Sequence, residues 1–140
     1  MSSQKFLYLD FDGVLHPNFT HKGNLFCHIP KFEEAIQWTD INVVISSSWR
    51  FQESPDWLIR LFSPRIRDSV IGFTGDAHIG QHARWHEIMA HVKTNQVIDW
   101  MALDDAKNEF PEDCQNLILC DGKKGLETPQ LVLLKKWLMT

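Results

Sequence analysis

The sequence predicts an α/β fold, a three-layer sandwich with helices on both faces of a mostly parallel sheet, and three observations carry that prediction. Five short apolar runs rich in β-branched and aromatic residues are spaced along the chain. Segments with helical periodicity or helix-start signals separate them, and such strand–helix alternation implies right-handed crossovers and parallel pairing. At 140 residues and 16.3 kDa the chain can bury one continuous core and is too small for two ordinary ones. Residues 1–140 are therefore expected to form one domain.

The first strand is read at Lys5–Asp10, KFLYLD, followed by a loop bearing glycine and proline and an amphipathic segment from about Pro30 to Thr39, where Phe32, Ala35 and Ile36 share a face. Asn42–Ser46, NVVIS, is a second strand of the kind buried on both faces of a parallel sheet. Ser54-Pro55 then opens a helix carrying Trp57, Leu58, Leu61 and Phe62, with serine as cap and proline in the first turn. Ser69–Phe73 is the third strand. Trp85, Ile88, Met89 and Val92 recur at i, i+3, i+4 and i+7 and define a helix with Arg84 near its start. Trp100–Asp104 and Leu117–Cys120 are strands four and five, and Thr128-Pro129 caps a last helix with Leu131, Leu134 and Leu138. The one long irregular stretch is Phe11–Lys31, and long loops in compact domains are often functional.

Composition narrows the function. With 44% hydrophobic and 23% charged residues the chain has the balance of a globular protein, and no stretch is apolar for long enough to cross a bilayer. The start, Met-Ser-Ser-Gln-Lys, lacks the apolar length and cleavage site of a secretory signal, so a cytoplasmic location is expected. Cys27, Cys114 and Cys120 are odd in number and lack C-x-x-C spacing, which indicates neither a disulfide framework nor a zinc knuckle; they are expected to be buried. A formal charge of −4 argues against a general nucleic-acid coat protein. A local basic patch beside an acidic site remains compatible with it.

Ligands of open α/β sheets bind outside the carboxyl ends of the strands, where strand order reverses. Here the first strand ends in Asp10-Phe11-Asp12-Gly13, the second in Ser46-Ser47-Ser48-Trp49-Arg50 and the fourth in Asp104-Asp105. Four carboxylates at neighbouring strand ends would repel one another by several kcal/mol at an effective dielectric of ~20. A divalent cation removes that conflict, and magnesium prefers oxygen ligands and usually takes one or two carboxylates. Asp10, Asp104 and Asp105 are the candidate metal residues by position, with Asp10 and Asp104 suited to that count.

These residues resemble the haloacid dehalogenase (HAD) superfamily. Asp10-Phe11-Asp12-Gly13-Val14-Leu15 after Phe6-Leu7-Tyr8-Leu9 looks like its first motif, Val43-Val44-Ile45-Ser46-Ser47 like its second, and Met101-Ala102-Leu103-Asp104-Asp105 like its fourth. The third, a lone basic residue, is taken as Arg84, with Lys93 as the other choice. Asp121-Gly122-Lys123-Lys124-Gly125-Leu126 extends the likeness over nearly the whole chain, and Ser-Trp-Arg after strand two resembles the small HAD domain of RNA-repair proteins. The resemblance implies a Rossmann-like sheet in the order 5-4-1-2-3 with little or no cap, which brings Asp10 and Asp104 together.

It also implies a magnesium-dependent phosphohydrolase in which Asp10 is the nucleophile and Asp12 the general acid and base, with the backbone carbonyl of Asp12 also touching the metal. Ser46 or Ser47 would bond a phosphoryl oxygen, and strand counting leaves both open. Arg84 would hold the phosphate. Arg50 and Trp49 are candidate substrate contacts, with His16, His21 and His28 on the same loops. His78, His82, His86 and His91 lack an acid at ligand spacing and are read as surface or packing residues. Short intervals around the motifs leave no room for a cap domain, so the expected substrate is phosphate on a large partner such as a nucleic-acid end or a phosphoprotein. A small-metabolite phosphatase and a non-catalytic phosphate-binding module are the alternatives.

Overall fold

The computed structural model describes residues 4–140. Residues 1–3, part of the stretch read as lacking a secretory signal, lie outside the described residues. The apolar runs form strands β1 (Lys5–Leu9), β2 (Asn42–Ile45), β3 (Val70–Phe73), β4 (Asp99–Asp104) and β5 (Leu117–Leu119). Helices α1 (Ile29–Ile36), α2 (Pro55–Ile59), α3 (Pro64–Arg67), α4 (Ala83–Thr94) and α5 (Thr128–Leu138) lie between and after them. The sheet runs β3-β2-β1-β4-β5 with every neighbouring pair parallel, which is the expected order read from the other edge.

Alternation along the strands divides the core into two layers. Leu7, Leu9, Val43, Ile45 and Leu103 point to one face, where Phe32 of α1, Leu58 of α2, Ile66 of α3 and Leu134 of α5 cover them. Tyr8, Val44, Trp100 and Ala102 point to the other, packed on Ile88 of α4 and on Phe110. Strands buried on both faces need no polar alternation, which is why they read as unbroken apolar runs.

Register then fixes what meets at the edge. Leu9 pairs with Ile45 on one side and Leu103 on the other, so the next residues, Asp10, Ser46 and Asp104, stand at one level of the sheet's carboxyl edge. Asp10 N donates to Leu103 O at 3.1 Å and Ser46 N to Leu9 O at 3.0 Å, extending the ladder by one residue. Between β1 and β2 the chain has room only for a loop and α1, and between β2 and α4 only for α2, α3, β3 and a loop.

Four local expectations are corrected. The first helix ends at Ile36 rather than Thr39. The helix opening at Ser54 stops at Ile59, because Pro64 holds Ser63 extended (ψ 154°) and starts α3; Ser63 N donates instead to Glu33 Oε2 at 2.7 Å. The residue capping α5 is Glu127, not Thr128, and its N–H donates to Gln130 Oε1 at 3.0 Å. Cys27, expected to be buried, is exposed on the loop before α1. No helix among the described residues is long and apolar enough to cross a membrane.

Phe32 is fully buried against Phe62, with ring centroids 6.2 Å apart. Phe32→Ala is expected to lower unfolding free energy by about 3–5 kcal/mol in denaturant titration. A loss under about 1 kcal/mol would mean that α1 is not packed on the sheet as described.

Candidate active site at the carboxyl edge of the sheet

Asp10, Asp104 and Asp105 each place a carboxylate oxygen so that all three lie within 4.8 Å of one another. Asp10 and Asp104 are buried, at 5% and 0% exposure. Burial, and then the neighbouring carboxylate Asp104, hold Asp10 well above the usual carboxylate range despite the opposing pull of Arg84. Asp104 is raised as well, again chiefly by burial.

Arg84 answers this charge. It sits in the first turn of α4, and its Nη1 donates to Asp104 Oδ2 at 2.7 Å and lies 3.1 Å from Asp10 Oδ1. Burial alone would lower its pKa, but the two carboxylates outweigh burial and raise it, so the guanidinium stays charged. Asp104 Oδ1 accepts from Ala106 N at 2.9 Å, and Asp105 Oδ2 accepts from Asn18 Nδ2 at 2.8 Å. Gly13 and Gly122 leave room for Asp105: a Cβ on either would come within 2.1 or 2.5 Å of its Oδ2. Gly13 also has φ +76°, which side-chain-bearing residues rarely adopt.

Asp12 differs from its neighbours. Its side chain is 57% exposed, and Oδ1 accepts from His16 Nε2 at 2.7 Å and from Trp49 Nε1 at 3.1 Å. The His16 bond, more than any other contact, holds its carboxyl below the ordinary range. It is absent from the trio whose oxygens converge.

The two serines left open by the sequence have separate environments. Ser47 Oγ accepts from Trp49 N at 3.2 Å and caps the 3-10 turn at Ser48–Phe51. Ser46 is 1% exposed, and its Oγ has no hydrogen-bond partner among the described residues. A buried hydroxyl without a partner costs free energy unless a ligand satisfies it.

Arg50 is fully engaged within the protein. Its Nε and Nη2 donate to Gly75 O, Nη1 to Ser46 O and Ser47 O, and Nη2 also to Glu87 Oε1 at 2.9 Å. A guanidinium has five N–H groups, and these bonds use them all. Glu87, buried on α4, also lies 3.9 Å from Arg84 Nε and accepts from His78 N at 3.0 Å.

With this geometry in place, the comparison with known families is decisive: residues 6–131 match the family described as the HAD domain in Swiss Army Knife RNA repair proteins. The chain belongs to this family. No curated protein and no solved structure gives a match. The HAD assignment covers β1 through the first turn of α5 and contains every residue of the edge cluster.

Several expected site residues lie apart from this HAD cluster. Lys93 is exposed in the last turn of α4, nine residues beyond Arg84, roughly 13 Å along the axis. His21 is exposed, and His28 Nε2 pairs with Lys124 O at 2.8 Å. Of the remaining histidines, His91 Nδ1 meets Tyr8 Oη at 2.7 Å, His82 Nδ1 meets Asn108 O at 3.2 Å, and His78 stacks on His86 with centroids 4.2 Å apart. Glu87 and Asn18 were not singled out by the sequence. Glu87 had one signal, its i+3 spacing from Arg84; Asn18, inside the irregular loop, had none.

The raised carboxyls set a direction for stability without cation. A native pKa above the unfolded one means that the stabilising contribution is complete in acid and lost as pH rises through the native value. Asp10→Asn removes this conflict, so the metal-free variant is expected to melt higher than wild type near neutral pH, on the order of 1 kcal/mol or about 3–5 °C. The difference should shrink near pH 4. A variant that melts lower than wild type at neutral pH would show that Arg84 already over-compensates the cluster.

Proposed function

We propose that the protein is a magnesium-dependent phosphohydrolase that forms an aspartyl-phosphate on Asp10. The observation that carries this reading is the convergence of Asp10 with Asp104, Asp105 and Arg84 in the register of the unpartnered Ser46 hydroxyl. Three hard oxygen donors, two of them buried and one half-buried, suit a magnesium ion, and Asp10, Asp104 and Asp105 would hold it. When bound, the ion would neutralise phosphoryl oxygens that the carboxylates otherwise repel.

The chain's own groups then divide the work. A carboxylate oxygen of Asp10 attacks phosphorus, the P–O bond to the alcohol breaks, and Asp12 gives that alcohol its proton. Water next attacks the phosphoryl group, Asp12 takes its proton, and Asp10 leaves as carboxylate with release of inorganic phosphate. Asp12 rests ionised, the form needed in the second step; an incoming phosphate dianion favours the protonated form needed in the first. Ser46 Oγ donates to a phosphoryl oxygen and so gains the partner it lacks. Arg84 supplies a second donor and the compensating charge. Ser47 and Arg50 shape the turn that presents Ser46, through the cap and the two carbonyl bonds.

The favoured substrate is a phosphate on a nucleic-acid end. Among the described residues nothing covers the half-exposed Asp12 as a cap domain would, and beside it Trp49 stacks on Trp57 at 5.9 Å and 5° with Phe26 set edge-on. Trp57 is 40% exposed while Trp49 and Phe26 are partly buried against the core, and the open side of such an aromatic cluster can receive an unstacked base. The family's association with RNA repair points the same way. A cytoplasmic location fits such a role.

Two measurements test the reading. Hydrolysis of an aryl phosphate is expected to require magnesium and to fall at least about a thousandfold in Asp10→Asn; turnover unchanged by chelator or by the substitution would overturn it. Among 3′- and 5′-phosphorylated oligonucleotides, mononucleotides and phosphopeptides, oligonucleotides are expected to give the highest kcat/KM. Cleavage of mononucleotides alone would favour a small-metabolite phosphatase.

A further inference from the structure

His16 is 2% exposed, yet its ring is engaged through both nitrogens. Nδ1 accepts the backbone N–H of Phe26 at 3.0 Å, and Nε2 meets Asp12 Oδ1 at 2.7 Å. A nitrogen that accepts an N–H carries no proton, so the single proton of this imidazole sits on Nε2 and is donated to Asp12. The ring plane is set by edge contacts to Phe26 (5.1 Å, 69°) and Trp49 (6.4 Å, 69°). Trp49 Nε1 donates to the same Oδ1 at 3.1 Å, whereas Oδ2 receives no donor among the described residues.

Two fixed donors on one oxygen leave the carboxyl a single orientation and a single open oxygen. We propose that His16 is a positioning residue for the acid–base step: by holding Asp12 Oδ1 it directs Oδ2 to the departing alcohol. The inference rests on the role given to Asp12 above.

A purely structural role explains less. The loop is already closed by bonds that need no imidazole: Gly13 N to His16 O at 2.9 Å, Leu15 N to Phe11 O at 2.9 Å and His28 N to Leu15 O at 2.8 Å. Loop closure alone would not require the buried ring to point its only proton at an exposed carboxylate.

Leaving groups separate the two roles, because nitrophenolate departs without a proton and an alkoxide does not. The test compares kcat/KM of wild type, His16→Phe and His16→Gln, with magnesium, on 4-nitrophenyl phosphate and on an alkyl phosphate. His16→Phe is expected to lose about thirty- to hundredfold more on the alkyl ester than on the aryl ester, within the roughly 10²–10⁴ that proton transfer contributes. His16→Gln, which keeps an N–H near the place of Nε2, should recover most of that difference. Equal losses on both esters, or none on either, would overturn the assignment. A wild type inert toward both sinks the phosphohydrolase reading and this assignment with it. If His16→Phe fails to fold, the ring-nitrogen NMR spectrum of the metal-free wild type decides: a neutral Nε2–H imidazole supports the assignment, and a proton on Nδ1 overturns it.

Discussion

Like charges held close at low dielectric are the constraint around which the carboxyl edge is arranged. Parallel pairing of β1 with β4 in register Leu9 to Leu103 makes the adjacency of Asp10 and Asp104 unavoidable. Unit charges about 4 Å apart repel by roughly 4 kcal/mol at an effective dielectric of about 20. That is a large share of the stability of a small domain. Arg84 offsets part of it, and the convergence of Asp105 adds to it. A folded protein that keeps such a conflict gains something from it, and negative charge that a cation can relieve is such a gain.

The surroundings of the cluster follow from the need to hold these charges in place. Gly13 and Gly122 admit Asp105 where any side chain would collide, and Asn18 fixes its Oδ2. Arg50 ties the ends of β2 and β3 to α4 by way of Ser46 O, Gly75 O and Glu87, so the helix that carries Arg84 is braced against the strand exit that carries Ser46. The same field reaches Cys120 after β5: burial first, then the three carboxylates, push its thiol up to about 12, so it stays neutral and packs as a small apolar group.

Much of this was legible in the sequence, for reasons particular to each residue. Asp10 and Asp104 each end an apolar run, and an acid at the end of a strand buried on both faces must emerge at the sheet edge. Arg84 was harder to separate from Lys93 by residue type. Chain direction separates them: the helix after a parallel strand begins at the carboxyl edge, so its first turn lies at the site and its last does not. The serines could not be separated by counting, because which hydroxyl is used as a cap depends on the 3-10 turn that follows β2. Arg50 looked available to substrate because sequence does not reveal that carbonyls and Glu87 consume its donors. His16, in an aperiodic loop, became informative only when both of its nitrogens were seen to be bonded.

The central claim is that Asp10 forms a bond to phosphorus. Acid quenching during turnover of a phosphate monoester, followed by borohydride reduction and peptide mass spectrometry, reads it directly. The account predicts homoserine at position 10 and at no other acid. Reduction at Asp12, Asp104 or Asp105 instead, or unmodified acids throughout a turnover that magnesium still supports, would contradict it.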